Sequence, residues 1–297
     1  MGEANAQRKD KMKRPRLAWL DVWRGLAVLN MCLYHGIWDL VYYFRLPGFD
    51  WYSAVPGYIW QQCICWSFIF LSGYSYALGQ NKFRRAATIL FAGVLVEAVA
   101  GAWQQEIHYG ILSFLGLWQL LLVLPEDWLA RQMRLRSWQQ IGRLGFVLSA
   151  VLFFLCRNVN QGNLGFESVR LVTLPRELYH SNFTACLGFP PAEFESLDYF
   201  SLLPWGFLFL AGYFLSQYQA EQRRDAEAAA KRAECAPAAP VEAITLGDVL
   251  VQRIREGHPG KCLGQLFAFL GKRALLIYLL HQPVLMAVFE LIGKFRH

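Results

Sequence analysis

Charge is what this sequence has least of: only 17% of its 297 residues are Asp, Glu, Lys or Arg, where a soluble domain carries about 25%. That shortage argues against a soluble globular protein. The 29 Lys and Arg give a net charge of +7, but they lie in blocks between apolar stretches, as topology signals do, and form no basic face for a polyanion. Nucleic acid is therefore not an expected partner. The seven cysteines have no metal-ligand spacing: Cys63 and Cys65 are separated by a single residue inside an apolar run and the others are scattered, which reads as packing and implies no metal. A glycine-rich phosphate loop is missing, and so is any repeat of fixed period. The basic start runs into a long apolar segment without a small-residue cleavage site, so that segment is expected to stay in the mature chain.

Hydrophobic residues, in contrast, make up 55% of the chain and aromatics 15%. Crossing a bilayer takes about 20 apolar residues, and seven stretches approach that length: 24–44, 58–78, 86–103, 109–124, 144–156, 199–217 and 274–292. The fifth is short, and its helix is expected to begin nearer Trp138. The pattern predicts an all-α integral membrane protein, a polytopic bundle of about seven transmembrane helices. Cytoplasmic loops are enriched in Lys and Arg. With the N-terminus inside, the basic residues of 8–24, Lys82, Arg84, Arg85, Arg131, Arg134, Arg136, Arg143 and the cluster of 223–273 all fall on the cytoplasmic side. The C-terminus is then outside.

The chain divides accordingly into a basic cytoplasmic segment (1–16), a transmembrane domain (17–217), an Ala-rich cytoplasmic insert (218–262) and a last span completing the domain (263–297). The insert is rich in Ala, Glu, Arg and Pro, the composition of a solvated helix followed by a flexible linker. Residues 157–198 form a long external loop. Its Tyr179, Phe183 and Phe189 favour an ordered lid over a disordered connection.

A charged group near the bilayer centre costs about 2.5 kcal/mol or more, so ionisable residues there point to chemistry or transport. His35 and Asp39 are four apart on the first span, hence on one helix face. A carboxylate so placed would fix the imidazole tautomer and raise its basicity, as a general base needs; the alternative is an interhelical hydrogen bond that supports packing. At 1.5 Å per residue His35 lies about 16 Å beyond Arg24, and His281 about 12 Å beyond Arg273 on the seventh span. Both spans run from inside to outside, so the two imidazoles are expected at similar depth and can share one cavity. His281 precedes Gln282 and Pro283, and a proline within a span frees a carbonyl that polar neighbours re-satisfy. Glu97 is expected to pair with a His or Arg of the bundle, and Glu106 and His108 to be wet interfacial residues. Asp198, Tyr199, Pro204 and Trp205 open the sixth span, where Asp198 can contact an external substrate. Arg24 beside Asp21, Arg84, Arg85, Lys272 and Arg273 form basic mouths at the cytoplasmic face. These either report topology alone or receive a polyanionic donor such as a CoA ester. Gly73, Gly79, Gly110, Gly116 and Gly212 are expected to permit close helix contact.

Several runs carry a family resemblance. The first is Leu20-Asp21-Val22-Trp23-Arg24-Gly25-Leu26-Ala27, followed by Met31, His35, Trp38 and Asp39. Others are Phe70-Leu71-Ser72-Gly73, Tyr109-Gly110-Ile111-Leu112, Asp198 through Trp205 and Leu270 through Pro283. Together they resemble the heparan-alpha-glucosaminide N-acetyltransferase catalytic-domain family, in its short bacterial branch. The family is similar to transmembrane acyltransferases that move an acyl group from cytosolic acyl-CoA to a sugar across the membrane. The resemblance implies that His35 is the leading catalytic residue and that Arg24 lies near the donor. Ser113 stands where that branch has a His, and the Ala-rich insert is longer than expected.

The combined expectation is an enzyme of the bacterial plasma membrane that transfers an acyl group, most simply acetyl from acetyl-CoA, to an amine or hydroxyl of an extracytoplasmic glycan or glycolipid. CoA phosphates would rest near Arg24, Arg84, Arg85 and Arg273. His35, oriented by Asp39, would act as base or acyl carrier, with His281, Gln282, Asp198 and Trp205 positioning the acceptor. A homodimer is compatible with this reading. The competing reading is a proton-coupled transporter or flippase using the same residues, although transporters often carry the internal repeats that are missing here.

Overall fold

In the computed structural model, residues 17–132, 138–234 and 260–294 are described, and they are mostly helical. Each of the seven apolar stretches falls on a helix. Among the described residues three segments are long and apolar enough to cross a membrane: Lys82–Ala102, Gln140–Gln161 and Ala274–Ile292. A shorter apolar helix covers Ile111–Val123. Large apolar side chains on these helices, Phe91, Leu144 and Val284 among them, are left bare by the rest of the protein, as a lipid-facing flank requires.

The chain folds as two compact units, Met1–Phe44 with Ile244–His297, and Arg45–Ala243. The first unit contains α1 (Ala18–Trp38), which runs directly into a π-helical turn, Asp39–Tyr43. There the Phe44 N–H donates to the Asp39 carbonyl at 2.9 Å, a wider ring than the α-helical one. Labelling in chain order, the same unit contains α8 (Gly260–Lys272) and α9 (Ala274–Lys294). α8 is an element the hydropathy reading did not separate from insert and last span. Its 13 residues are too few to cross a bilayer. It packs closely along α1 because Gly25 lies against the Phe267 backbone and Gly271 against the Asp21 carbonyl. A Cβ at either position would overlap backbone atoms of the facing helix, so only glycine allows this approach. The two contacts pair 25 with 267 and 21 with 271, which makes the helices antiparallel.

The second unit contains α2 (Val55–Leu78), α3 (Lys82–Ala102), α4 (Ile111–Gln132), α5 (Trp138–Leu155), a hairpin of β1 (Asn163–Phe166) and β2 (Val169–Thr173), α6 (Asn182–Leu187) and α7 (Leu202–Glu234). α5 begins at Trp138, where the short fifth stretch was expected to start. Gly73 of α2 meets the Phe209 backbone of α7 while Gly212 of α7 meets Phe70 of α2, and on the α3–α4 seam Gly93 faces Ser113 and Gly116 faces Leu90. Of the glycines expected at helix contacts, Gly73, Gly116 and Gly212 are there. Gly79 instead ends α2, and Gly110 precedes α4 beside Asp198. Ser113 is buried at the tight α3–α4 seam, a place for a small side chain. α7 continues well past its apolar part, so the run of Ala, Glu and Arg through Glu234 is helical and largely exposed. The expected linker beyond it lies outside the described residues.

The segment 157–198 is ordered, as its aromatics suggested. β1 and β2 pair antiparallel with a bulge between Leu164 and Gly165, and Ser181 and Thr184 form a reciprocal cap on α6. Half-buried polar side chains tie the segment to itself and to the start of α7. Asn160 donates to the Gly188 carbonyl at 3.0 Å and the Ser201 hydroxyl at 2.9 Å. Tyr199 donates to the Ala185 carbonyl at 2.5 Å, and Tyr179 to the Val159 carbonyl at 2.6 Å.

Candidate functional site

The first unit brings four of the expected polar residues together. His35 near the end of α1 and His281 of α9 have ring centroids 4.8 Å apart, their planes tilted by 57°. The Tyr278 ring also packs on His281, with centroids 5.5 Å apart. Nδ1 of His281 lies 2.5 Å from the Tyr278 carbonyl oxygen. A carbonyl only accepts, so Nδ1 carries the proton and the neutral ring keeps Nε2 as a bare acceptor. That Nε2 is buried and has no hydrogen-bond partner.

Asp39, fully buried at the start of the π turn, accepts from Gln282 Nε2 at 2.8 Å. Its second oxygen and the Gln282 carbonyl oxygen are buried without partners. This corrects the expected His35–Asp39 pairing. The carboxylate is taken up by a residue of another helix, and His35 makes ring contacts with Tyr34 and His281 instead. Helical spacing of four placed the two residues on one face, but the backbone widens at Asp39, and the side chain follows the partner that packing provides. Buried polar groups without partners are costly, and three such acceptors, on Asp39, Gln282 and His281, cluster on two facing helices.

At the Gly25–Gly271 crossing, neighbouring backbone positions carry the cations Arg24, Lys272 and Arg273. Arg24 pairs with the buried Asp21 at 2.8 Å, and the Arg273 guanidinium lies over the Phe269 ring at 3.9 Å. Arg84 and Arg85 belong to the second unit, at the start of α3, where the Arg84 carbonyl accepts from Thr88 at 2.9 Å.

In the second unit the acidic residues have structural partners. Glu97 accepts from the Gly110 N–H at 2.9 Å and Asp198 from the Ile111 N–H at 3.1 Å, so both carboxylates hold the N-terminus of α4. Glu97 thus pairs with a helix end, not with the His or Arg expected of it. Asp198, half-buried, serves the same helix end. Trp205 is buried between Phe153 and Phe200 with the Arg157 guanidinium 4.9 Å above its ring. It is a packing residue here, since the ring that was to meet a substrate is covered.

Arg157 went unnoticed in the sequence, where it merely begins the loop. It donates to Gln62 at 2.9 Å and to the Tyr58 hydroxyl at 3.2 Å, while Tyr58 donates to Glu167 at 2.8 Å. The only local signal for such a role is a lone arginine at the end of an apolar helix. Among the described residues no group of three or more His, Cys, Asp or Glu is placed to hold a metal.

A family model for the catalytic part of heparan-alpha-glucosaminide N-acetyltransferase matches residues 16–247. The chain belongs to that family. Membership makes a membrane acetyltransferase the class of this protein, and acetyl-CoA the general donor of that class. The matched residues include His35, Asp39 and Arg24 and end before α8 and α9, so Gln282 and His281 lie beyond them. Neither curated proteins nor solved structures give a match to the chain.

Proposed function

We propose that this protein is a multi-pass enzyme of the bacterial plasma membrane, with seven spans and a cytoplasmic N-terminus. It transfers acetyl from cytosolic acetyl-CoA to an amine or hydroxyl of an extracytoplasmic glycan or glycolipid. The observation that carries the proposal is the imidazole pair, 4.8 Å between centroids, grouped with three buried acceptors that lack donors. An acceptor sugar supplies N–H and O–H donors, which is what those atoms lack; phosphates supply none.

Arg24, Lys272 and Arg273 suit the other end of the donor. They are neighbours across the Gly25–Gly271 contact, and cations of this kind pair with phosphates. Helical rise separates them from the imidazoles by about 12 to 16 Å. An extended thioester arm would bridge that interval, phosphates at the crossing and acetyl at the histidines. Acetyl-CoA supplies the activated acyl group. The chain's own residues bind its phosphates, receive the acceptor's donors at Asp39 and Gln282, and take a proton or the acyl group at a histidine. Arg84 and Arg85 carry positive charge at the start of α3, which this topology places on the cytoplasmic side.

The test is release of CoA by the purified protein in proteoliposomes supplied with radiolabelled acetyl-CoA, with and without glucosamine or a glucosamine-bearing lipid. Sugar-dependent CoA release with label on the sugar is the expected result, lowered when either imidazole of the pair is replaced. Proton-coupled uptake of a solute with no CoA turnover would overturn it.

A further inference from the structure

We infer that His281, and not His35, is the proton acceptor of the transfer step, with the Tyr278 carbonyl as the group that fixes its tautomer. The inference rests on the acetyltransferase reading and divides the labour within the imidazole pair. A general base needs a lone pair on a known nitrogen and a partner that holds the ring. His281 has both: Nδ1 donates to the Tyr278 carbonyl at 2.5 Å, and Nε2 is buried with no hydrogen bond. His35 has neither. Asp39, the carboxylate that could have oriented it, accepts from Gln282. The contacts of the His35 ring are to the Tyr34 and His281 rings.

Sequence around His281 supports the arrangement. Pro283 lies inside α9 and has no N–H, so the Leu279 carbonyl receives no bond from it. The turn that holds Tyr278, Leu279 and His281 is therefore free of one constraint of a regular helix, and the ring bonds back to the carbonyl three residues earlier. Gln282 follows directly and anchors Asp39, so one short segment of α9 both presents the basic nitrogen and orders the acceptors beside it. His35, packed across the ring at 4.8 Å, acts on this base through ring orientation and is a positioning residue.

The step balances as follows. The lone pair on the acceptor's nitrogen or oxygen attacks the thioester carbonyl carbon and forms the new C–N or C–O bond. The acceptor's proton moves to His281 Nε2. The C–S bond breaks with its electron pair going to sulfur, and the imidazolium returns the proton to the thiolate, leaving CoA as the thiol and the ring neutral.

Two measurements test this. The first is nitrogen NMR of the protein carrying ring-labelled histidine, with His281→Gln to assign the signals. A neutral His281 protonated at Nδ1 supports the inference, and a ring protonated at Nε2 overturns it whether or not an acceptor is known. The second uses acetyl-CoA with glucosamine as acceptor probe and compares His281→Gln with His35→Gln, both checked for an unchanged melting profile. Loss of a general base costs about 10²–10⁴-fold, and that loss in kcat is expected for His281→Gln, together with loss of the acidic limb of the pH–rate profile. For His35→Gln a smaller fall with the limb retained is expected. The reverse pattern overturns the assignment. An unmodified protein that releases no CoA with any sugar counts against the acetyltransferase reading alone, because the NMR result stands apart from it.

Discussion

Gln282 and Asp39 are 243 residues apart in the chain and joined by a hydrogen bond of 2.8 Å, the amide donating to the carboxylate. The bond links α9 to the π turn that ends α1, and it is the polar tie beside the paired imidazoles.

Replacing Gln282 with Leu leaves a buried carboxylate without its donor. An unsatisfied buried group costs about 1–3 kcal/mol, so the variant should unfold earlier in detergent. Changing Asp39 to Leu in the same protein should recover part of that loss, since no orphaned carboxylate remains. Thermal melts of both variants check this, and a double variant no better than the single one would refute it.

Gly25→Ala and Gly271→Ala each insert a methyl where the facing backbone already lies. Overpacking of this kind costs about 1–3 kcal/mol or more. Combining the two substitutions should cost less than the sum of the singles, because one separation of α1 from α8 relieves both clashes. Strict additivity in the measured unfolding free energies would count against a shared seam.

Glu97→Gln and Asp198→Asn keep an accepting oxygen and remove the charge at the start of α4, a loss of about 0.3–1 kcal/mol each. The readout is local. Amide exchange at Gly110 should speed up in the first variant and at Ile111 in the second, following the two bonds, with the amides of α7 unaffected.

Cys186 in α6 is half-buried, and burial raises its thiol above the ordinary range. At a given pH it holds less thiolate than an unfolded cysteine and should react more slowly with iodoacetamide. Because the folded value is the higher one, the unfolded chain loses its proton first as pH rises. The thiol's share of stability is therefore complete below the unfolded value and lost as pH climbs through the folded one. Alkylation rates followed by mass spectrometry from neutral to alkaline pH report both effects, and a rate equal to that of the denatured protein would contradict the burial.

Much of this was legible in the chain because it depends on near neighbours. Apolar runs located every long helix, Trp138 marked the start of the fifth, and helical rise put His35 and His281 at comparable depth. α8 escaped notice because its apolar residues run on toward those of α9, with only Arg273 between the two helices. Arg157 escaped because its partners Tyr58, Gln62, Glu167 and Trp205 come from separate elements.

The sequence by itself determined a chain that is helical and membrane-seeking, its family, and which polar residues stand on which helix, since hydropathy and period act within a few turns. Tertiary structure alone decided the partners. It gave Asp39 to Gln282 instead of His35, turned Glu97 and Asp198 into caps for α4, and buried Trp205 under Arg157. The physical reason is that a buried carboxylate or amide must take whichever donor or acceptor packing brings within about 3 Å, and residues brought so close can be hundreds of positions apart.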